Sequence, residues 1–96
     1  MELSGCGTAL VTPFLSDGSL DEKALRDLVQ WQVENGIRFL VPTGSTGEAC
    51  ALTEEAWLRV VRIVIEAADG RAPVFVGCTH NTTRQAVERV KKLQTI

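Results

Sequence analysis

Phe39-Leu40-Val41-Pro42-Thr43-Gly44-Ser45-Thr46-Gly47-Glu48 passes from an unbroken apolar segment into a loop of glycines and hydroxyls. Phe39-Leu40-Val41 has no polar alternation. It predicts a short strand buried on both faces, as in a parallel sheet. The loop, residues 42–52, leads into a helix. Thr53 is a suitable N-cap, and Glu54 and Glu55 stand in the first turn, where the macrodipole favours acids. Leu58, Val61, Ile65 and Ala68 form the main apolar stripe of that helix, widened by Trp57 and Val64, and Gly70 stops it.

The same cycle lies on either side. Upstream, Thr8-Ala9-Leu10-Val11-Thr12 reads as a buried strand ended by Pro13, and Asp17-Gly18 is a turn signal. Asp21 can cap a helix over about residues 22–35, with Leu25, Leu28, Val29 and Val33 on one stripe and Gly36 just past its end. Downstream, Pro73-Val74-Phe75-Val76 predicts a third strand, with Pro tolerated at its first position. Residues 77–81 form a third loop. Thr82-x-x-Gln85 is a capping-box pattern opening a third helix, on which Ala86, Val90 and Leu93 share a face.

The chain therefore reads β-α-β-α-β-α, one α/β domain over residues 1–96 with no second domain. The strands begin near Thr8, Phe39 and Pro73, about 31 and 34 residues apart, the length of a βα unit. Three units leave a parallel sheet with two unpaired edges. A closed (β/α)₈ barrel needs eight strands and about 250 residues. The pattern implies either part of such a barrel or a unit that completes itself with other chains.

With 96 residues and 10.4 kDa the chain fits one domain, and 45% apolar with 23% charged residues is ordinary globular composition. A formal charge of −2 and a pI of about 5.3 offer no basic excess for nucleic acid or an anionic membrane. The longest uncharged stretch, residues 3–16, is too short and too broken by Gly5, Gly7 and Pro13 to span a bilayer. The opening Met1-Glu2 lacks the basic start of a secretory leader, so the expected place is cytoplasmic. Cys6, Cys50 and Cys78 fit neither a disulfide framework nor a zinc pattern, and read as small buried thiols in a reducing compartment.

Functional groups in parallel α/β folds gather beyond the C-terminal strand ends. Three segments qualify and should share one rim: Thr12-Pro13-Phe14, Gly44-Ser45-Thr46-Gly47-Glu48 and Gly77-Cys78-Thr79-His80-Asn81. In the second, two glycines bracket two hydroxyl residues. Neighbouring N–H groups and hydroxyls there suit a carboxylate or phosphate, although the same composition also makes a plain structural turn. It is neither a P-loop nor a dinucleotide fingerprint. Glu48 suits an acid or base role, or binds the loop's own N–H groups. His80, the only histidine, has no local metal-ligand or nucleophile partner and reads as a loop residue satisfied by its neighbours, and Asn81 turns that loop into the third helix. Trp31 and Trp57 read as packing residues between helices or against another subunit. The only lysines, Lys23, Lys91 and Lys92, read as helix-surface residues, none at a strand end.

The run Gly7-Thr8-Ala9-Leu10-Val11-Thr12-Pro13-Phe14, then Asp17-Gly18, Leu20-Asp21 and Gly44-Ser45-Thr46-Gly47-Glu48 with Leu52-Thr53 and Glu55, resembles the start of the dihydrodipicolinate synthase family. Gly70-Arg71-x-Pro73-Val74 and Gly77-x-Thr79-x-Asn81-x-Thr83 extend the resemblance over essentially the whole chain. It implies the first three βα units of a (β/α)₈ TIM barrel within a pyruvate-dependent class I aldolase. Such an enzyme condenses pyruvate, held as a lysine Schiff base, with aspartate semialdehyde in lysine biosynthesis. It also implies homo-oligomers, dimers or tetramers, and no cofactor or metal. By that resemblance Ser45 is a proton-relay and substrate-binding residue, and Thr46 binds the pyruvate carboxylate. Ser45 departs from the threonine usual in the synthase, keeping the hydroxyl but losing the methyl that stiffens χ1. Gly-Ser-Thr-Gly-Glu-Ala is also similar to N-acetylneuraminate lyase, which keeps a sugar-acid aldolase open, while Asn81 favours the synthase. The family's Schiff-base lysine and catalytic tyrosine have no counterpart among these residues, so the chain alone is expected to be inactive. A non-catalytic reading, a self-assembling barrel fragment, stands beside the enzymatic one.

Overall fold

In the computed structural model, residues 3–96 are described; Met1 and Glu2, on which the leader argument rests, lie outside them. β1 (Gly7–Ala9) and β2 (Phe39–Val41) pair in parallel, Thr8 opposite Leu40. Leu10 N–H adds one more bond, to the Val41 carbonyl at 3.0 Å. The buried strand expected over residues 8–12 is thus shorter in its ladder and buried only at alternate positions. Leu10 and Thr12 are covered, whereas Ala9 and Val11 are exposed. Helices lie against one face of the sheet, so alternate residues of the strand have no apolar cover.

The third strand contracts to a single parallel bridge, Leu40 opposite Val74. Leu40 N–H donates to the Pro73 carbonyl at 3.0 Å and Phe75 N–H to the Leu40 carbonyl at 2.8 Å. One residue pair further on, Gly77 N–H reaches the Pro42 carbonyl at 3.0 Å. The reciprocal bond needs an N–H at residue 42, and proline has none. The segment therefore runs alongside β2 as expected but cannot complete a second bridge. Phe39 and Phe75 pack edge to face across the open side, ring centroids 5.8 Å apart.

The helices follow their caps. Asp21 accepts from Ala24 N–H at 3.0 Å and opens α1 (Glu22–Glu34); Gly36, at φ +94°, takes the chain out of it. Thr53 accepts from Ala56 N–H at 3.1 Å and opens α2 (Glu54–Ala68), which ends at Asp69 and Gly70, both left-handed. Thr82 accepts from Gln85 N–H at 3.2 Å and opens α3 (Thr83–Leu93). Its hydroxyl also reaches Gln85 Oε1, 3.0 Å away, so the capping box closes between side chains.

α1 buries Leu25 and Val29, as its stripe predicts. α2 buries most of the expected face, including Trp57 and Val64 that widen it, but is turned enough to cover Val60 and Ile63 in place of Ile65. Trp57, Val60, Ile63 and Val64 are buried with Val61 and Ala68, and Ile65 points outward at 40% exposure. Trp57 sets this rotation, because its indole N–H bonds the Gly77 carbonyl beneath the helix at 3.0 Å. Trp31 is 59% exposed and does not pack between helices, whereas Trp57 is fully buried. Val90 on α3 is exposed, and the neighbouring Arg89 is buried in its stead. Surface pairs Arg26–Glu66 (2.8 Å) and Arg59–Glu22 (2.6 Å) tie α1 to α2, a small contribution at such exposure. Among the described residues no helix is long and apolar enough to cross a membrane.

The rotation of α2 is testable with one residue type at two positions. Ile63→Ala should cost about 2–5 kcal/mol in urea unfolding, the range for emptying a buried aliphatic site. Ile65→Ala should cost about 1 kcal/mol or less, as an outward-facing residue. Equal losses would contradict the packing described.

Candidate functional site

The loops after β1, after β2 and after the third extended segment meet at the C-terminal ends of the strands. The middle loop is held from both sides. Thr12 Oγ1 donates to the Gly47 carbonyl at 2.7 Å, a buried bond from the first loop to the second. A Cβ on Gly47 would lie 3.0 Å from the Leu10 carbonyl oxygen and 3.2 Å from Thr12 Oγ1, so glycine permits this close seat.

On the other side Gly77 presses its backbone against the start of the loop. A Cβ there would stand 2.2 Å from the Thr43 carbonyl oxygen and 3.0 Å from Gly44 N. Thr43 is buried at φ +58°, a left-handed conformation that is uncommon for a β-branched residue. Its Oγ1 lies 2.7 Å from the Pro42 carbonyl and 3.0 Å from the Gly77 carbonyl and shares its one hydrogen between them. The Gly77 carbonyl also receives the Trp57 indole N–H. One carbonyl thereby joins the second loop, the third loop and α2.

Within the loop, Gly47 and Ala49 N–H donate to the Gly44 carbonyl (3.1 and 3.3 Å) and Glu48 N–H to the Ser45 carbonyl (3.0 Å). The N–H groups of Ser45 and Thr46 donate to no protein acceptor among the described residues. They are the unpaired leading amides of a helical turn, the arrangement that receives anions. Glu48 turns the chain at φ +57°, and its carboxylate binds none of the loop's N–H groups. The loop is closed by its own carbonyls, which corrects the reading of Glu48 as the side chain that holds it.

A cleft of about 360 Å³ opens beside this loop, lined by Thr43, Gly44, Ser45, Ala49, Cys50, Thr79, His80, Asn81 and Arg89. Of the two expected site residues, Ser45 is exposed on its wall. Thr46 is exposed next to it and is not among the lining residues. His80 is half-buried; its Nδ1 accepts the Asn81 N–H at 2.8 Å, the local satisfaction expected of it. Cys50 lines the cleft and is exposed, as is Cys6, so two of the three thiols are not the buried cysteines anticipated. Cys78 is half-buried, and burial pushes its thiol above the ordinary range, which disfavours the reactive thiolate. Among the described residues no cluster of His, Cys, Asp or Glu could hold a metal ion.

Arg89 was not singled out by the sequence. Its side chain is 3% exposed. It donates through Nε and Nη2 to Glu54 at 3.0 and 2.8 Å and through Nη1 to the Thr79 carbonyl at 3.1 Å. Its guanidinium carbon lies 5.1 Å from the Trp57 ring centroid. Helical spacing admits both residues 86, 90, 93 and residues 86, 89, 93 as one face. Hydropathy favours Val90, and no local signal favours Arg89.

These features define a βα-repeat chain with a cleft, bordered by hydroxyl, amide and guanidinium side chains, at the C-terminal ends of its parallel strands. The profile of the dihydrodipicolinate synthetase family matches residues 2–96. A 4-hydroxy-tetrahydrodipicolinate synthase from Acidobacterium capsulatum is 60% identical over 92 residues, 96% of this chain and 30% of that protein. The crystal structure of a chloride-inhibited dihydrodipicolinate synthase from Acinetobacter baumannii, complexed with pyruvate, superposes with a TM-score of 0.92 at 40% identity, over 95% of this chain and 31% of that one. An N-acetylneuraminate lyase from Proteus mirabilis superposes at 0.93 with 23% identity, over 100% of this chain and 32% of that one, and shows a shared fold alone. The chain belongs to the dihydrodipicolinate synthetase family, a family of lyases. It spans about a third of the length of the curated relatives it matches.

Two outcomes follow from this geometry. Gly77→Ala should cost about 1–3 kcal/mol by overpacking and should displace the amide resonances of residues 43–47, because its methyl meets backbone. Normal stability with an undisturbed loop would refute the close approach. Glu54 is held below the ordinary carboxylate range, chiefly by its hydrogen bond from Arg89. Its stabilising contribution is therefore complete above that range and is lost as pH falls through the lowered value. Glu54→Gln should flatten part of the acid limb of a stability–pH profile. Solvent screening keeps the change small, and Glu22 and Asp17, also held low by Arg59 and Ser19, retain the rest.

Proposed function

We propose that the chain is the keto-acid carboxylate-binding part of a Schiff-base lyase, its three βα units being the first three of a (β/α)₈ barrel. The overall reaction in this reading is that of 4-hydroxy-tetrahydrodipicolinate synthase. Pyruvate, activated as an imine and then an enamine, adds to aspartate semialdehyde in lysine biosynthesis. The observation that carries the reading is the pair of unpaired amides at Ser45 and Thr46, in a loop that borders the cleft and is pinned at Gly47 by Thr12 and at Thr43–Gly44 by Gly77. Two N–H groups and two hydroxyls match the two oxygens of a carboxylate, and a fixed backbone donor costs no reorganisation when charge arrives.

Roles divide accordingly. Thr46 and the loop amides bind the carboxylate. Ser45, with its hydroxyl on the cleft wall, binds substrate and relays a proton at the reacting carbonyl. The imine-forming amine is not among these residues, since Lys23, Lys91 and Lys92 all sit on helices away from the cleft. The identity to synthases favours that reaction over sugar-acid cleavage. Free thiols at Cys6, Cys50 and Cys78 support a reducing cytoplasm, and the exposed Trp31 supports assembly into homo-oligomers.

Borohydride reduction of the 96-residue chain in the presence of pyruvate should leave no covalent adduct by mass spectrometry. In an amide NMR titration of the same chain, pyruvate should shift Ser45 and Thr46 selectively, and Thr46→Val together with Ser45→Ala should abolish the shift. A trapped adduct would overturn the division of roles, and absence of any selective shift would overturn the carboxylate assignment.

A further inference from the structure

The buried guanidinium of Arg89 is the least expected feature of the molecule. Burying a charge costs several kcal/mol unless it is paired and hydrogen-bonded, and an aliphatic side chain would fill the same space without that cost. α3 nevertheless exposes Val87 and Val90 and turns Arg89 inward. The place it reaches is specific. One edge of the fork takes the Glu54 carboxylate at the N-terminus of α2, and Nη1 takes the carbonyl of Thr79. The flat face lies near Trp57, whose indole N–H holds Gly77. Arg89 itself lines the cleft with Ser45, and so do Thr79, His80 and Asn81.

We propose that Arg89 is a positioning residue of the cleft. By clamping the Thr79 carbonyl to α2 through Glu54, it fixes the wall formed by Thr79, His80 and Asn81 relative to the loop that carries Ser45. The function of that wall rests on the carboxylate-binding reading above. Only a planar fork serves two acceptors in different directions while stacking on a ring; a lysine ammonium at residue 89 would be a point charge on a flexible stem. Lys92, 3.6 Å from the same carboxylate, adds charge but no contact to the third loop.

The 96-residue chain tests this with Arg89→Met, Arg89→Lys and Glu54→Gln, read by amide NMR, hydrogen exchange and pyruvate titration, with circular dichroism checking the helices. Arg89→Met should leave helix content unchanged, speed exchange at residues 79–81, and weaken the pyruvate-induced response of Ser45 about tenfold, the scale of one lost hydrogen bond. Arg89→Lys should fail to restore it. Glu54→Gln, which keeps volume and breaks the charged pair, should move the same amides in the same direction by less. Wild-type exchange at residues 79–81 and pyruvate response within twofold of wild type in folded Arg89→Met would overturn the proposal. If Arg89→Met does not fold, Glu54→Gln decides, and unmoved amides at residues 79–81 overturn it. If the wild-type chain itself shows no pyruvate response, the carboxylate reading fails. Exchange at residues 79–81 then decides the clamp alone, faster in the variants if it exists and unchanged if it does not.

Discussion

The carbonyl of Gly77 is the point on which the rest of the architecture depends. It takes the Trp57 indole N–H and shares the Thr43 hydroxyl, while the residue's bare Cα lies against the Thr43–Gly44 peptide. The second and third loops can approach this closely only because no Cβ intervenes. Trp57, bonded there, fixes how α2 rotates over the sheet, and so which of its aliphatic residues enter the core. A single acceptor thus couples packing beneath the sheet to the shape of the cleft at its end.

Strain and charge collect around that point. Thr43 carries a left-handed backbone, Glu48 another, and Arg89 a buried guanidinium. Each costs free energy; Thr43 and Arg89 are held by bonds to neighbouring segments, and Glu48 by bonds within its own loop. Away from the cleft the chain uses ordinary means. Side-chain caps open all three helices, left-handed residues end α1 and α2, and aliphatic packing joins α1 and α2. The concentration of unusual features at the C-terminal strand ends agrees with a site whose donors must be fixed before a ligand arrives.

Membership of the dihydrodipicolinate synthetase family does not replace the physical account of these features. The loop of residues 44–48 leaves the Ser45 and Thr46 amides unspent, whatever the family, because they lead a turn whose carbonyls accept only from the N–H groups that follow. The free amides suit a carboxylate, and relatives of this chain include a synthase whose structure contains pyruvate. The free amides do not account for the buried Arg89 with Glu54 and Trp57, and the proposed clamp does.

Local chemistry is legible in the amino-acid order. Asp21, Thr53 and Thr82 cap where capping residues should, the apolar stripe of α1 is the buried one, and the parallel βα order follows from short apolar runs between amphipathic helices. These depend on neighbours within about four residues, which a linear reading sees. Periodicity alone could not choose Arg89 over Val90, or Ile63 over Ile65, because helical spacing admits both and the choice falls to the partner surface. Nor could it show that Pro42 would stop the third strand's ladder, since the missing N–H matters only once Phe75 lies opposite. The tertiary structure decided which loops touch, which charge is buried and which amides stay free, because those depend on residues more than thirty positions apart meeting in space, Thr12 with Gly47, Thr43 with Gly77 and Arg89 with Glu54.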